Sequence, residues 1–262
     1  MHALLPAPRR WATGHLLGLS LFILAASGCG TRDEAPGGAG VADSPAAQLV
    51  ERSIAFHDPE GAWDSRAIEM VWFGTGSDGG ERVSVDLRFG SDESDFSLSG
   101  RYAGSSIEYE VSGEVWAATV DGDGSPDEEA LARMRLDRED GVFWRSYYGF
   151  LAGLPMKIAD PGARLDPEVA ETTFEGRDVR AVRVTYDPEV GGDTWYFYFD
   201  ADTAELVGCR FYHDESANDG EYITFEGLAE GGGLRLPRYR EWYTNEGDRF
   251  LGSDEIRSVT VR

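Results

Sequence analysis

Several groups of residues have the types and spacing that chemistry would need. Gly74-x-Gly76-x-x-Gly79 matches the glycine spacing with which a strand, turn and helix hold a dinucleotide pyrophosphate. That chemistry requires a helix N-terminus after the loop. Here Glu81–Phe89 alternates as a strand, so the glycines read as a hairpin turn. Asp121-Gly122-Asp123-Gly124-Ser125-Pro126-Asp127 places carboxylates at alternate positions, where they could converge on a hard cation such as calcium. Pro126 stands where the turn glycine is needed and Ala132 where a bidentate glutamate would close the shell. Asp121, Asp123 and Asp127 are therefore a weak calcium candidate, and a solvated loop capping the next helix is preferred. Histidine is scarce: beyond the N-terminal segment only His57 and His213 remain, neither at a zinc-ligand spacing. His213-Asp214-Glu215, at a strand end, is expected to face solvent. Ser77 has Thr75 where a nucleophile elbow needs glycine. Pairs such as Glu171 with Asp178 could serve glycosidic chemistry, but 48 Asp and Glu residues make such pairs inevitable by chance. No catalytic constellation emerges, so the expectation is a non-enzyme without cofactor.

The aromatic strands say more. In Trp195-Tyr196-Phe197-Tyr198-Phe199 a period of two puts Trp195, Phe197 and Phe199 on one face and both tyrosines on the other. An apolar face with an amphipathic back suits the wall of a cavity. Trp72, Phe89, Phe96, Trp116, Tyr148, Leu154, Met156 and Trp242 are candidates for the same lining, although an ordinary filled core has the same signature. Lys157, the only lysine, is flanked by Met156 and Ile158. It is a candidate for an anionic head group at the rim, with a surface ion pair as the simpler reading.

The elements that must position these residues follow from periodicity. Ser44 caps and Pro45 opens a helix over 45–57, with Ala46, Leu49, Val50 and Ile54 on one face. From Ala67 the period becomes two: 67–73, 81–89, 94–101, 107–112 and 115–120 read as strands with Gly-rich turns. Ser125-Pro126 with Glu128 resembles a capping box, and a broken helical block runs on through Trp144, Tyr147, Tyr148, Phe150 and Leu151. Strands resume at 180–186, 194–199, 206–212, 221–226, 234–243 and 256–261. The order predicts a mainly β (α+β) domain: a curled antiparallel sheet forming an incomplete β-barrel, with an N-terminal helix and a helical insertion closing the concave face. Gly208 is a position where a larger side chain would fill such a pocket.

The chain of 262 residues carries a formal net charge of −24. A surface so acidic repels nucleic acid and anionic membrane. Its charge is spread along the chain, as in a secreted protein adapted to salt. Cys209, mid-strand, reads as a small buried hydrophobe, and no intramolecular disulfide is expected.

At the N-terminus, Arg9 and Arg10 precede an apolar run, Leu16 to Ala26, too short to span a bilayer permanently. Ala26-Ser27-Gly28-Cys29 follows and resembles the lipobox of bacterial lipoproteins, in which the cysteine thiol accepts a diacylglycerol before cleavage. The resemblance implies a signal peptide over 1–28, acyl chains such as palmitate on Cys29, a flexible tether over 29–43 and a single domain over 44–262. Membrane attachment is then through the N-terminal lipid, and the domain is expected to be a monomer. Gly30 in place of aspartate implies the outer membrane, the periplasmic side being favoured over the cell surface. Arg32-Asp33-Glu34 faintly resembles a surface-export signal, but a soluble linker is the preferred reading.

Asp200-Ala201-Asp202-Thr203-Ala204-Glu205-Leu206 and Gly233-Leu234-Arg235-Leu236-Pro237-Arg238 resemble a turn and a strand opening of the carriers and receptors of outer-membrane lipoproteins, the LolA/LolB-like fold. More closely, Tyr147 to Asp254 resembles a family of Gram-negative lipoproteins of unknown function. The likeness runs through Gly153-Leu154-Pro155-Met156-Lys157, Asp160-Pro161-Gly162, Asp193–Phe199 and Asp219-Gly220-Glu221-Tyr222-Ile223, and is weaker over 60–120. It implies an incomplete barrel that holds a lipid, a lipoprotein acyl chain or another lipophilic ligand. The alternatives are an interaction lipoprotein with a closed core and, third, a hydrolase using His213 or a carboxylate.

Overall fold

The computed structural model describes residues 43–91, 94–138, 141–188 and 190–262. The expected signal peptide, Cys29 and nearly all of the tether lie outside the described residues.

Helix α1 (Pro45–His57) begins as its sequence dictates. The Ser44 hydroxyl accepts from the Ala47 amide, and proline occupies the first turn, where its missing N–H costs nothing. Its buried face is Ala46, Leu49, Val50, Ser53 and His57. Asp58 then receives the amides of Ala62 and Trp63 at 2.8 and 2.9 Å, which turns the chain into the sheet.

Five strands form a first meander: β1 (Ile68–Gly76), β2 (Glu81–Phe89), β3 (Asp95–Tyr102), β4 (Ser105–Ser112) and β5 (Val115–Val120). The helices α2 (Glu128–Arg133) and α3 (Phe143–Ala152) follow. Eight more strands complete the chain: β6 (Ala163–Leu165), β7 (Ala170–Phe174), β8 (Arg177–Tyr186), β9 (Thr194–Asp200), β10 (Leu206–Tyr212), β11 (Glu221–Gly231), β12 (Leu234–Thr244) and β13 (Phe250–Val261). They make one antiparallel sheet in the order β5-β4-β3-β2-β1-β13-β12-β11-β10-β9-β8-β6, with β7 also on β8. Pairing of β1 with β13 joins the two meanders into a continuous wall. β5 and β6 end it unpaired with each other, so the barrel is incomplete.

Alternation decides which side is inner. Val83, Val85 and Leu87, Phe197 and Phe199, Cys209 and Phe211, and Leu234 and Leu236 all face one core, which also takes in Phe143, Trp144, Tyr148 and Leu151 of α3. Cys209 is completely inaccessible, and burial pushes its thiol pKa far up, as a structural cysteine requires. The structure differs from expectation in detail. Asp127, not Ser125, caps α2, accepting from the Ala130 amide. β6 and β7 were not foreseen, and β13 starts at Phe250 rather than 256. Gly74 belongs to β1 opposite Asp254 and not to the hairpin turn.

Candidate functional site: the concave face and its helical cover

The inner wall meets α3 along its length. Its aromatic residues at 143, 144 and 148 point into the sheet together with Leu151 and Ala152. Trp144 packs edge-on to Tyr102 of β3 at 4.8 Å, and Tyr148 edge-on to Trp72 of β1 at 5.2 Å. On the other side Phe150 meets Trp195 of β9 at 5.1 Å. The helix therefore bridges the two halves of the wall.

Most of the lining residues expected from sequence are brought together. Tyr148 lies 6.4 Å from Phe96, which packs on Phe89 at 5.1 Å. Trp195 stacks on Phe197 at 5.7 Å with planes 10° apart. Leu154 and Met156, just after α3, are buried in the same core, and Phe199 closes it beyond Phe197. Trp116, partly buried, packs against the edge of the same core through Tyr109 and lies over Gly141. Lys157 is neither at a rim nor on the surface. It is buried and paired with Asp160 at 2.5 Å. Phe197 and Phe199 have no exposed area, and the buried faces of α1 and α3 share one core with them, so in this conformation the concavity is filled. Gly208 faces the opposite side: a Cβ there would lie 2.2 Å from the Phe174 ring on the outer face.

At the centre of this apolar wall lies a polar group that the strand pattern had concealed. Arg240 on β12 and Asp254 on β13 are register partners, 0% and 1% exposed. Asp254 is well provided for. It accepts from the indole N–H groups of Trp72 at 3.1 Å and Trp242 at 2.8 Å, and from the Arg82 guanidinium. Gly74 makes the space, since a Cβ there would fall 2.3 Å from the carboxylate. Arg240 is poorly provided for. Its guanidinium lies over Trp72 at 4.7 Å and near Phe225 at 5.5 Å, contacts that attract a desolvated cation. Nη2 donates to the Leu151 carbonyl of α3 at the long distance of 3.5 Å. Nε and Nη1 are buried without a partner among the described residues. Burial pulls the Arg240 pKa down to about 10 against the opposing charge of Asp254. The sequence signal was present: Arg240 and Asp254 each share the inward parity of Trp242 and Ile256.

The other candidates are not assembled into chemistry. Asp121 binds the Ser106 amide, Asp123 the Ser125 amide and Asp127 the Ala130 amide. Asp123 and Asp127 thus shape their own turns while Asp121 ties the end of β5 to β4, and the weak calcium site is not formed among the described residues. Among the described residues no group of three His, Cys, Asp or Glu side chains could hold a metal ion. His57 is structural: its ring bonds the Arg235 carbonyl and accepts from the Leu206 amide. His213, half-exposed, pairs with Asp193 at 2.8 Å. No helix among the described residues is long and apolar enough to cross a membrane.

The profile of a family of unknown function, DUF6503, matches residues 40–257. No curated protein matches the sequence. Among solved structures, the chain is similar to the LolA superfamily protein NE2245 from Nitrosomonas europaea, with 11% identity, a TM-score of 0.50, and 83% of this chain and 93% of that one covered. It also aligns with a domain from Vibrio parahaemolyticus described as an outer membrane lipoprotein-sorting protein, with 10% identity, a TM-score of 0.49, and 82% and 91% coverage. The first likeness is one of fold.

Proposed function

The chain belongs to DUF6503, a family of unknown function, and on its geometry we propose that it is a non-catalytic envelope lipoprotein whose inner wall takes up a lipophilic ligand when α3 moves aside. The ligand is a lipid or the acyl chain of a lipoprotein. Arg240 carries this reading. A fully buried cation with two unpartnered donor atoms is costly, and among the described residues its only hydrogen-bond acceptor is a carbonyl of the covering helix. A ligand head group bearing a carbonyl, carboxylate or phosphate oxygen would satisfy those donors better, while its chain replaced α3 against Trp72, Phe96, Trp195 and Phe197. Each methylene buried contributes about 0.8 kcal/mol, so one long chain can offset the contacts α3 gives up. The open half-barrel shared with the LolA superfamily protein supports the same reading. Anchoring through Cys29, with residues 30–43 as tether and the single domain held at the periplasmic side of the outer membrane, completes the proposal.

Native mass spectrometry of the chain starting at Gly30 tests it. The expected spectrum contains a population heavier by one lipid, released on denaturation. Bare polypeptide alone, from cells and after incubation with lipid extract, would contradict it. The tight burial of Phe197 and Phe199 favours a second reading, an interaction lipoprotein with a permanently closed core. In-cell crosslinking that repeatedly traps one envelope protein, with no lipid adduct, would select that reading.

A further inference from the structure

A sheet that does not close leaves a row of backbone groups at each end, and proteins ordinarily protect such edges with short strands, proline, charge or a bulge. One end of this sheet is protected in that way. β6 is three residues long, Pro167 interrupts the edge between β6 and β7, and the Pro167 carbonyl accepts from the Ala46 amide of α1. Phe174 of β7 is covered as well, stacked on Tyr198 of β9 at 4.1 Å and lying over Gly208. The other end has none of these devices. β5 carries no charge and no proline, and its register with β4 runs without a bulge from Val115 to Val120. It pairs with no other strand. Val115 is 77% exposed, the one large apolar side chain so exposed among the described residues.

The phase of the β4–β5 ladder shows which groups are left over. The Asp121 amide bonds the Ser106 carbonyl at 3.0 Å, so bonding alternates through Glu108–Thr119 and Glu110–Ala117. Trp116, Ala118 and Val120 then direct their N–H and C=O groups away from β4. Asp123 takes both groups of Val120. Trp116 and Ala118 therefore present two amides and two carbonyls along the free edge, the pattern that an added strand completes. On the outer face the next row inward is acidic. Glu110 is the register partner of Ala117 and Glu108 of Thr119, and both glutamates are exposed. Arg101 of β3 is taken by Glu81, and Arg133 by Asp121. Glu108 and Glu110 form no ion pair among the described residues.

We propose that β5 is a docking edge for an extended segment of a partner protein, which adds antiparallel as the next strand. The segment carries Lys or Arg opposite Thr119 and Ala117 and an apolar residue opposite Val115, so in chain order it reads basic-x-basic-x-apolar. Neighbouring strands lie about 4.8 Å apart, so a basic side chain reaches over the small Ala117 or Thr119 to the carboxylate beyond. The apolar residue covers Val115. A second copy of this chain fits poorly. Pairing two β5 strands would set both acidic rows on one face of chains that each carry a net charge of −24. The edge is separate from the ligand site of the concave face and does not depend on the reading of that site.

Amide NMR titration of the full chain in detergent tests this, with the acetylated and amidated peptide SKVKTVS as probe. The amides of Trp116 and Ala118 should shift on binding. SKVKTVS should bind at least tenfold more tightly than SEVETVS, in which the charge is reversed. It should also bind at least tenfold more tightly than SKPKPVS, which keeps the charge but lacks the two donors that face those residues. Glu108→Gln combined with Glu110→Gln should keep the amide shifts and reduce the preference over SEVETVS to threefold or less. Ala118→Pro, which removes one free-edge donor and no bond to β4, should abolish binding. No binding of SKVKTVS, equal binding of SKPKPVS, shifts that spare Trp116 and Ala118, an unchanged preference in the glutamine variant, or a dimer through β5 that excludes the peptide would overturn the proposal.

Discussion

Arg240 and Asp254 sit opposite one another in the wall, yet their surroundings make opposite predictions. Asp254 accepts three charge-assisted or indole hydrogen bonds. Asp254→Asn removes the charge that Arg82 faces and should lower the unfolding free energy by about 2–4 kcal/mol. Arg240 makes one long hydrogen bond and leaves two donors unused. Arg240→Met, of similar length and apolar, should therefore stay within about 1 kcal/mol of the parent in urea. Losses of equal size in the two variants would mean that Arg240 is a structural ion-pair partner. His57 gives a pH prediction. Burial lowers its pKa from 6.5 to about 4, so the folded state refuses a proton that the unfolded chain accepts. Stability from this residue is present above pH about 6.5 and is lost as pH falls toward about 4, by about 3 kcal/mol at most. Urea titrations across that window should show the loss in the parent and a smaller one in His57→Gln.

Among the elements, β2 and α1 were legible to their ends because their alternation or helical stripe is unbroken, whereas β11 and β13 break their alternation and run beyond the stretches that could be read. Val83, Val85 and Leu87 on β2, and Phe197 and Phe199 on β9, could be placed on the inner face from spacing alone. The two strands that escaped have no such pattern. β6 is three residues long, and β7 exposes all but Phe174. The inner aromatic candidates were likewise legible, but Arg240 and Asp254 were not. Their parity with Trp242 and Ile256 pointed both inward, but a charge in an alternating strand is normally assigned to the wet face, and the cross-strand register places the two opposite each other. Gly208 shows the cost of missing β7. It read as a place to fill an inner pocket, whereas its missing side chain makes room for Phe174 on the outside. Gly208→Ala should push the Phe174 ring off Tyr198 and cost about 1–3 kcal/mol, seen as a lower urea midpoint with a weakened near-ultraviolet aromatic signal.

For the molecule as a whole, a net charge of −24 means self-repulsion that salt relieves. The melting temperature should rise by several degrees between about 50 mM and about 1 M NaCl; a flat or falling curve would mean that local ion pairs outweigh the net field. The incomplete barrel and the helix filling it form one system. A ten-residue helix has little stability away from its packing surface, so α3 keeps its hydrogen bonds only while the wall holds it. Hydrogen–deuterium exchange with and without saturating oleate measures this directly. The account predicts that amides of Phe143–Ala152 exchange faster when oleate is bound, while those of β9 to β12 are unchanged or slower. Bound oleate with α3 fully protected would contradict a ligand site beneath that helix.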